Sequence, residues 1–181
     1  MSILDSLNRR AHLHGLHHAG VTVSSFEEAV NWYHEMFGFH LVNELKVDGE
    51  KANELAGLYG QEGLEIRLGF LATQSSAMLE IFEFSPTQPE LDHTVWNRPG
   101  YQHVAIAVRD VPRVKAELEA KGVQFVTDVQ FMGGAHWAFM KDPDGNLIEI
   151  IDLHANRLPL KFFGNMVGRI MKRTVFSRLY W

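Results

Sequence analysis

A chain of 181 residues that is 46% hydrophobic and 22% charged is typical of a globular protein with a buried core. It contains no cysteine, which excludes disulfides, thiolate catalysis and cysteine-based zinc or iron–sulfur sites, so any metal ion must be held by nitrogen and oxygen. Charge is unevenly spread: 11 basic residues against 22 acidic ones give −11 up to Asp152, and six basic residues with no acidic ones give +6 beyond it.

The acidic body argues against nucleic acid as a partner, because a nucleic-acid-binding domain needs a basic surface. The first 15 residues contain no continuous apolar segment of the kind found in a secretory signal, and no later stretch of about 18 uncharged apolar residues follows. We therefore expect a cytoplasmic protein.

The first regular elements are a short strand and a helix. Alternating residues over 19–23 predict a strand whose valines share one face, with His18 on the other. Ser25, with Glu28 three residues on, has the pattern of a capping box, and Gly38 supplies the helix stop.

Three strand-like segments follow this helix: "FHLVNEL", "GLEIRLGFLA" and "AMLEIFEF". The insertion "KVDGEKANELAGLYGQEG" separates the first two. It predicts a loop with a short helix around residues 52–59, and insertions of this kind often cover a site.

The same order of elements recurs from "QHVAIAVRDVPRVKAELEAKGVQF". His103 opens a strand, Asp110 is a helix cap and Gly122 ends the helix. The strand segments are then "VQFVTDV", "HWAFMKD" and "NLIEIIDL", of which the last two are joined by the turn "DPDGN". The distances from histidine to glycine, 20 and 19 residues, indicate a duplicated β-α-β-β-β module.

Each copy places a glutamate among apolar residues of its last strand, Glu80 and Glu149. A carboxylate there is costly unless it is paired or binds a metal ion. The two glutamates and the strand-opening histidines, His18 and His103, make a set of two carboxylates and two imidazoles. This set suits one divalent ion (Zn, Ni, Co, Mn or Fe) with positions left for substrate. His17 replaces His18 if the register slips by one residue.

Four further residues are candidates for contact with a substrate. His136 follows the flexible sequence "MGGA" and is a candidate proton donor or substrate contact. Trp137 and Phe139 line an apolar pocket or belong to the core. Arg67 pairs with an anionic substrate group or forms an exposed salt bridge.

The segments "LHHAGVTV…NWYHEMFGF", "AMLEIFEF", "YQHVAIAV" and "KDPDGNLIEI" resemble the four signatures of the glyoxalase I, methylmalonyl-CoA epimerase and extradiol dioxygenase superfamily, the vicinal oxygen chelate proteins. The resemblance implies an α+β fold in which paired βαβββ modules form a half-open barrel. The expected domain spans residues 14–153, with module one at about 14–85 and module two at about 100–153. A basic amphipathic tail, 154–181, follows.

The resemblance places the metal ligands on His18, Glu80, His103 and Glu149, the four positions that strand parity selects. It implies a metal-dependent isomerase or lyase that transfers a proton next to a chelated carbonyl of a small oxygenated substrate. Glu149 is the first-choice base and Glu80 the second. One alternative is an Fe(II) extradiol-type dioxygenase, against which the fourth ligand Glu80 argues. The other is a non-enzymatic ligand-binding or drug-sequestering protein, whose relatives usually lack the full ligand set.

The tail "LPLKFFGNMVGRIMKRTVFSRLYW" predicts an amphipathic basic helix. Its apolar side clusters Leu160, Phe163, Val167, Ile170, Met171 and Val175, and its basic side carries Lys161, Arg169, Lys172 and Arg173. Because the body is acidic, we expect the tail to dock onto it, either within one chain or across a homodimer. The alternative is peripheral contact with an anionic membrane.

Overall fold

The computed structural model describes residues 16–73, 77–87, 96–97, 99–154 and 157–179. The chain divides into two compact units, residues 1–95 and 96–181. Each unit contains one four-stranded sheet. In both sheets the first strand of the module lies beside the last, and the third and second strands follow.

The elements of the first unit are β1 (His18–Thr22), α1 (Phe26–Phe37), β2 (His40–Val47), α2 (Gly49–Glu54), α3 (Ala56–Tyr59), β3 (Glu65–Ala72) and β4 (Met78–Ser85). The sheet order is β1-β4-β3-β2, in which β1 runs parallel to β4 and the other pairs are antiparallel. The last strand of the module therefore lies in the centre of the sheet, beside the first.

Helix α1 begins and ends as its sequence predicts. The Ser25 hydroxyl accepts a hydrogen bond from the Glu28 amide at 3.4 Å, and Gly38 ends the helix in the left-handed conformation with φ of 69°. The helix buries Phe26 and Tyr33, so its apolar side faces the sheet core.

The insertion between β2 and β3 forms the two short helices α2 and α3, where one short helix was predicted. Ala52 of α2 packs in a buried cluster with Leu64 and Ile66, and Tyr59 of α3 meets the ring of Phe84 at 5.4 Å. Ile66 and Phe84 lie on the same sheet face as Glu80 by strand parity. The insertion thus covers the end of the face that carries this glutamate.

The elements of the second unit are β5 (Val104–Ala107), α4 (Val111–Ala120), β6 (Gln130–Met132), β7 (Ala135–Lys141), β8 (Leu147–Asp152), α5 (Arg157–Arg173) and a 3-10 turn (Ser177–Leu179). The sheet order is β5-β8-β7-β6, with β5 parallel to β8. This arrangement repeats that of the first unit.

Side-chain oxygens fix the turns of this unit. The Asp110 carboxylate accepts a hydrogen bond from the Arg113 amide at 3.2 Å and caps α4. In the hairpin "DPDGN", the Asp142 carboxylate accepts from the amides of Asp144 and Asn146 at 3.0 and 2.8 Å. These are the turn positions that the sequence predicts.

The predicted strand "VQFVTDV" is wrong in extent. Only an isolated bridge between Phe125 and Met140 forms there, and the edge strand is β6 further along the chain. The Thr127 hydroxyl accepts the amide hydrogen of Phe139 at 3.0 Å, so a side chain occupies the place of a strand carbonyl. A β-branched residue that favours a strand by propensity here interrupts the ladder.

The sequence "MGGA" is a two-residue hairpin turn rather than a flexible loop. Gly133 and Gly134 both have positive φ, 64° and 82°, which suits the tight connection of β6 to β7. His136 is consequently a strand residue of β7.

The α+β class, the two βαβββ modules and the C-terminal helix are confirmed, and each sheet is open. The domain boundaries at residues 14, 85, 100 and 153 stay predictions. No helix in the described part of the chain is both long and apolar enough to cross a membrane.

Candidate functional site

In the first unit a histidine and a glutamate meet on adjacent parallel strands. Glu80 of β4 is the register partner of Gly20 in β1, so His18, two residues earlier, lies on the same face as Glu80. His18 Nε2 lies 3.0 Å from Glu80 Oε2. The Glu80 side chain is only 14% exposed, so this carboxylate is largely withdrawn from water.

The second unit repeats this geometry. Glu149 of β8 is the register partner of Ala105 in β5, and His103 again lies two residues before that partner. His103 Nε2 is 3.2 Å from Glu149 Oε2, and the Glu149 side chain is also 14% exposed. The duplication therefore extends from the order of the strands to the atoms of the two pairs.

Each histidine–glutamate pair is accompanied by a phenylalanine, a further repeated feature that was not predicted from the sequence. Phe70 is the antiparallel partner of Glu80, and Phe139 is that of Glu149. Their rings lie 5.1 and 5.0 Å from those of His18 and His103. The signal was present in the sequence, since each phenylalanine precedes its glutamate by 10 residues.

His17 lies beside His18 and not in its place. The Nδ1 atoms of the two rings are 2.9 Å apart, and the edge of His17 also contacts Phe70, with centroids 6.0 Å apart. One Nδ1 must donate a hydrogen bond and the other must accept it. Because this contact uses Nδ1 of His18, the other ring nitrogen, Nε2, is the one that faces Glu80. His17 thus orients the neighbouring imidazole.

The structure places His136 on the opposite face from Glu149. Glu149 pairs with Phe139 along β7, and His136 is three residues from Phe139, an odd spacing that reverses the face. Its Nδ1 lies 2.6 Å from His154 Nε2, and His154 Nδ1 is 3.2 Å from Asp152 Oδ2. His136 belongs to this hydrogen-bonded chain and is separated from the His103–Glu149 pair by the sheet.

Asp152 anchors the chain of side chains that ends at His136. Its carboxylate accepts hydrogen bonds from the backbone amides of Asp110 and His154, at 3.0 and 2.8 Å. These two bonds favour the charged form and hold the pKa of Asp152 below its usual value. The buried carboxylate is therefore ionised and fixed in place at neutral pH.

Aromatic rings surround the pair of the second unit. Trp137 shares a face with Phe139, and their ring centroids are 5.5 Å apart. Trp96, which the sequence reasoning missed, contacts both His103 and Phe139, at 5.6 and 5.3 Å. Trp96 lies seven residues before His103 and outside every predicted strand, so no periodic pattern marks it. The rings form an apolar wall beside the Glu149 carboxylate.

Arg67 lies on the helix side of the first sheet. It is three residues from Phe70 on β3 and so faces away from Glu80. Its guanidinium pairs with Glu27 of α1 and with Glu44 at 2.8 Å, and it lies 4.3 Å from the ring centroid of Phe26. The hydrogen bond from Arg67 lowers the pKa of Glu27. Of the two roles predicted for Arg67, the structure shows the salt bridge and not a place beside Glu80.

Both pairs fit the ligand geometry of a divalent ion. Nitrogen and oxygen ligands at about 2.1 Å from a metal and at right angles to each other are about 3.0 Å apart. The observed Nε2–Oε2 separations are 3.0 and 3.2 Å. Within the described ranges no cluster of three or more potential ligands occurs.

The sequence profile of the Glyoxalase/Bleomycin resistance protein/Dioxygenase superfamily matches residues 15–150. The chain belongs to this superfamily, as its strand order and its repeated pairs indicate.

Curated relatives with different activities share this region. The lactoylglutathione lyase of Schizosaccharomyces pombe is 24% identical over 141 residues, which are 75% of this chain and 46% of the relative. The 2-epi-5-epi-valiolone epimerase of an Actinomyces species is 26% identical over 152 residues, 77% of this chain and 80% of the epimerase. The chain spans less than half the length of the lactoylglutathione lyases it matches, which include one from Arabidopsis thaliana.

Solved structures share the fold. A glyoxalase family protein from Bacillus cereus has a TM-score of 0.64 at 22% identity and covers 77% of this chain and 94% of its own. The glyoxalase I of Leishmania major has a TM-score of 0.56 at 21% identity, with 91% and 99% coverage. An antibiotic-binding protein from Streptomyces has a TM-score of 0.53 at 23% identity, with 78% and 97% coverage. At these identities the likeness concerns the fold alone.

Proposed function

We propose that the protein is a lyase or isomerase dependent on one divalent metal ion. His18, Glu80, His103 and Glu149 are its ligands, one pair from each unit, and the ion is Zn, Ni, Co, Mn or Fe. The observation that carries this proposal is the repeated pair, since the same register and nearly the same Nε2–Oε2 distance recur in two separate sheets.

The proposed reaction is proton transfer at a carbon next to a carbonyl of a small oxygenated substrate. A bound divalent ion supplies a Lewis acid that stabilises negative charge on the substrate oxygen. Glu149 accepts the proton, and its carboxylate lies 3.2 Å from Nε2 of His103, the other proposed ligand of this unit. The rings of Trp96, Trp137 and Phe139 limit the access of water to Glu149, which strengthens its interactions with charge.

The kinds of relatives support this class of reaction. They include lactoylglutathione lyases and an epimerase, which are a lyase and an isomerase. The reactions of a lactoylglutathione lyase and of a 2-epi-5-epi-valiolone epimerase are accordingly the two to assay first.

Metal analysis tests the ligand set. We expect one ion per chain in protein purified without added metal, and loss of that ion in both His18→Ala and His103→Ala. His40→Ala, which changes an exposed histidine at the start of β2, is the matched control and keeps the ion. Two ions per chain, with only one lost in each variant, would show that the pairs act as independent sites and would contradict a shared set.

Turnover tests the role of the base. Glu149→Gln, loaded with metal, should lose about 10²-fold to 10⁴-fold in kcat, the usual contribution of a general base. Glu83→Gln, on the face of β4 opposite to Glu80 and across from Arg67, should keep full turnover. Full activity in metal-loaded Glu149→Gln excludes Glu149 as the base. Oxygen uptake with a catechol by the iron-loaded protein would identify the dioxygenase alternative instead.

A further inference from the structure

Helix α5 carries a row of large apolar side chains that the structure leaves uncovered. Phe163 and Met166 are 55% and 54% exposed, and Ile170 is 54% exposed. They recur at spacings of three and four residues, so they form one side of the helix. Val175, beyond the helix end, is also exposed, at 59%. An apolar strip of this length is unfavourable in water and marks a docking surface.

The charge of this segment selects an anionic partner. No Asp or Glu occurs after Asp152, whereas six basic residues do. Arg169, Lys172 and Arg173 are exposed on the helix, and Arg173 directly borders the apolar side on a helical wheel. Basic side chains at the edge of an apolar strip can reach lipid phosphates while the strip lies among the acyl chains.

We propose that α5 binds the surface of an anionic lipid bilayer, lying parallel to it with Phe163, Met166 and Ile170 below the headgroups. The 3-10 turn extends the contact, because Phe176 and Leu179 are also exposed. Tyr180 and Trp181 follow, and these residue types are enriched at bilayer interfaces. The preceding part of the chain carries −11 and is repelled by the same lipids, so the contact is expected to be confined to this segment.

A bilayer suits this surface better than a second copy of the chain does. Pairing two copies of α5 face to face would bring together two segments that each carry +6. The acidic body offers charge complementarity, but the strip also has to bury bulky side chains along about 10 Å of helix, from Phe163 to Ile170. A bilayer accommodates such a strip without a matching groove.

Vesicle sedimentation with the full chain tests the proposal. We expect binding to vesicles of phosphatidylcholine mixed with phosphatidylglycerol and at least tenfold weaker binding to phosphatidylcholine alone. The preference should diminish when NaCl rises from about 0.1 M to about 1 M, because the screening length falls from about 10 Å to about 3 Å. The salt series uses the unmodified chain, so it is informative even if a variant fails to fold.

Two sets of variants separate the apolar and the charged contributions. Phe163→Ser with Ile170→Ser should weaken vesicle binding at least tenfold, whereas Phe131→Ser, an exposed phenylalanine of β6, should leave it unchanged. Replacing Arg169, Lys172 and Arg173 by Gln should weaken binding to the anionic vesicles about fivefold per residue. Arg109→Gln, which removes the charge of an exposed arginine before α4, is the control and should leave vesicle binding unchanged.

Absence of binding to the anionic vesicles overturns the proposal. So does equal binding to both kinds of vesicle, since the basic side chains would then have no role. If light scattering showed that Phe163→Ser with Ile170→Ser converts a dimer into a monomer, and the unmodified chain did not bind vesicles, a second copy would be the occupant of this surface.

Discussion

The histidine, glutamate and phenylalanine of each unit form a small chemical module within one sheet. The phenylalanine ring lies directly across the ladder from the glutamate and removes part of its water. The histidine on the parallel neighbour then provides the polar partner that a shielded carboxylate requires. The proposed roles of Glu80 and Glu149, as metal ligands and as the base, depend on this placement between a ring and an imidazole.

Asp152 gives a residue-scale prediction about stability. Because its folded pKa lies below the value of about 3.9 in an unfolded chain, its contribution is present above that value and is lost as the pH falls through the folded pKa. Asp152→Asn should lower the free energy of unfolding at pH 7 by about 1–3 kcal/mol, since two amides and His154 lose a charged acceptor.

Urea unfolding at a series of pH values measures this effect. The difference between the wild type and Asp152→Asn should shrink toward acid pH, where the aspartate is itself protonated. Asp128→Asn changes an exposed aspartate of the same unit and serves as the control. A deficit that stays constant from pH 7 down to the acid limit would show that the charge of Asp152 contributes nothing.

The helix caps and the turn "DPDGN" were predicted correctly, because they depend on residues only a few positions apart. The caps at Ser25 and Asp110 and the turn at Asp142 follow directly from side-chain oxygens that reach nearby amides. Edge strand β6 was not predicted, because Thr127 competes for the Phe139 amide across the hairpin. Such competition depends on a partner 12 residues away, which local propensity does not include.

Two glycines on strands give an element-scale prediction. A Cβ at Gly69 would lie 2.6 Å from the Asn43 carbonyl oxygen and 2.9 Å from the ring of Phe26. Any larger residue at this position therefore forces β3 to shift. A Cβ at Gly20 would meet only the edge of the Phe82 ring, at 3.3 Å. Gly69→Ala should destabilise the protein by about 1–3 kcal/mol, as overpacked cores do, and Gly20→Ala by less.

Thermal unfolding of the two alanine variants provides the comparison. Gly20→Ala is the matched control, because both glycines are strand residues of the same sheet and neither has positive φ. Equal losses of Tm in the two variants would refute the importance of the contact with the Asn43 carbonyl, since chain entropy alone affects both alike.

At the scale of the whole molecule, duplication and charge segregation are the two organising features. Each unit forms its own sheet and its own histidine–glutamate pair. The metal binding that we propose uses both pairs and so depends on both halves of the sequence. The net charge is −11 up to Asp152, the last residue of β8, and +6 after it. Chemistry and surface attachment are thus assigned to different parts of the chain in our proposals.

Metal binding should also stabilise the whole protein. A divalent ion at 100 times its dissociation constant adds about 2.7 kcal/mol to the free energy of unfolding, which corresponds to a rise in Tm of roughly 5–10 °C for a chain of this size. We expect the rise on adding Zn²⁺ or Ni²⁺ to the chelator-treated protein. His18→Ala and His103→Ala should abolish it, and His40→Ala should preserve it. An undiminished rise in either ligand variant would argue against that ligand.

The sequence by itself determined the repeated module, the helix ends and the face on which each candidate ligand lies. Those features depend on strand parity and on hydrogen bonds between near neighbours, which the order of residues specifies directly. Only the tertiary structure decided that His136 and Arg67 lie across their sheets from Glu149 and Glu80, and that Trp96 joins His103. The physical reason is that the register between strands and the contact of a loop residue with a strand both arise from packing, which no periodic pattern in the sequence encodes.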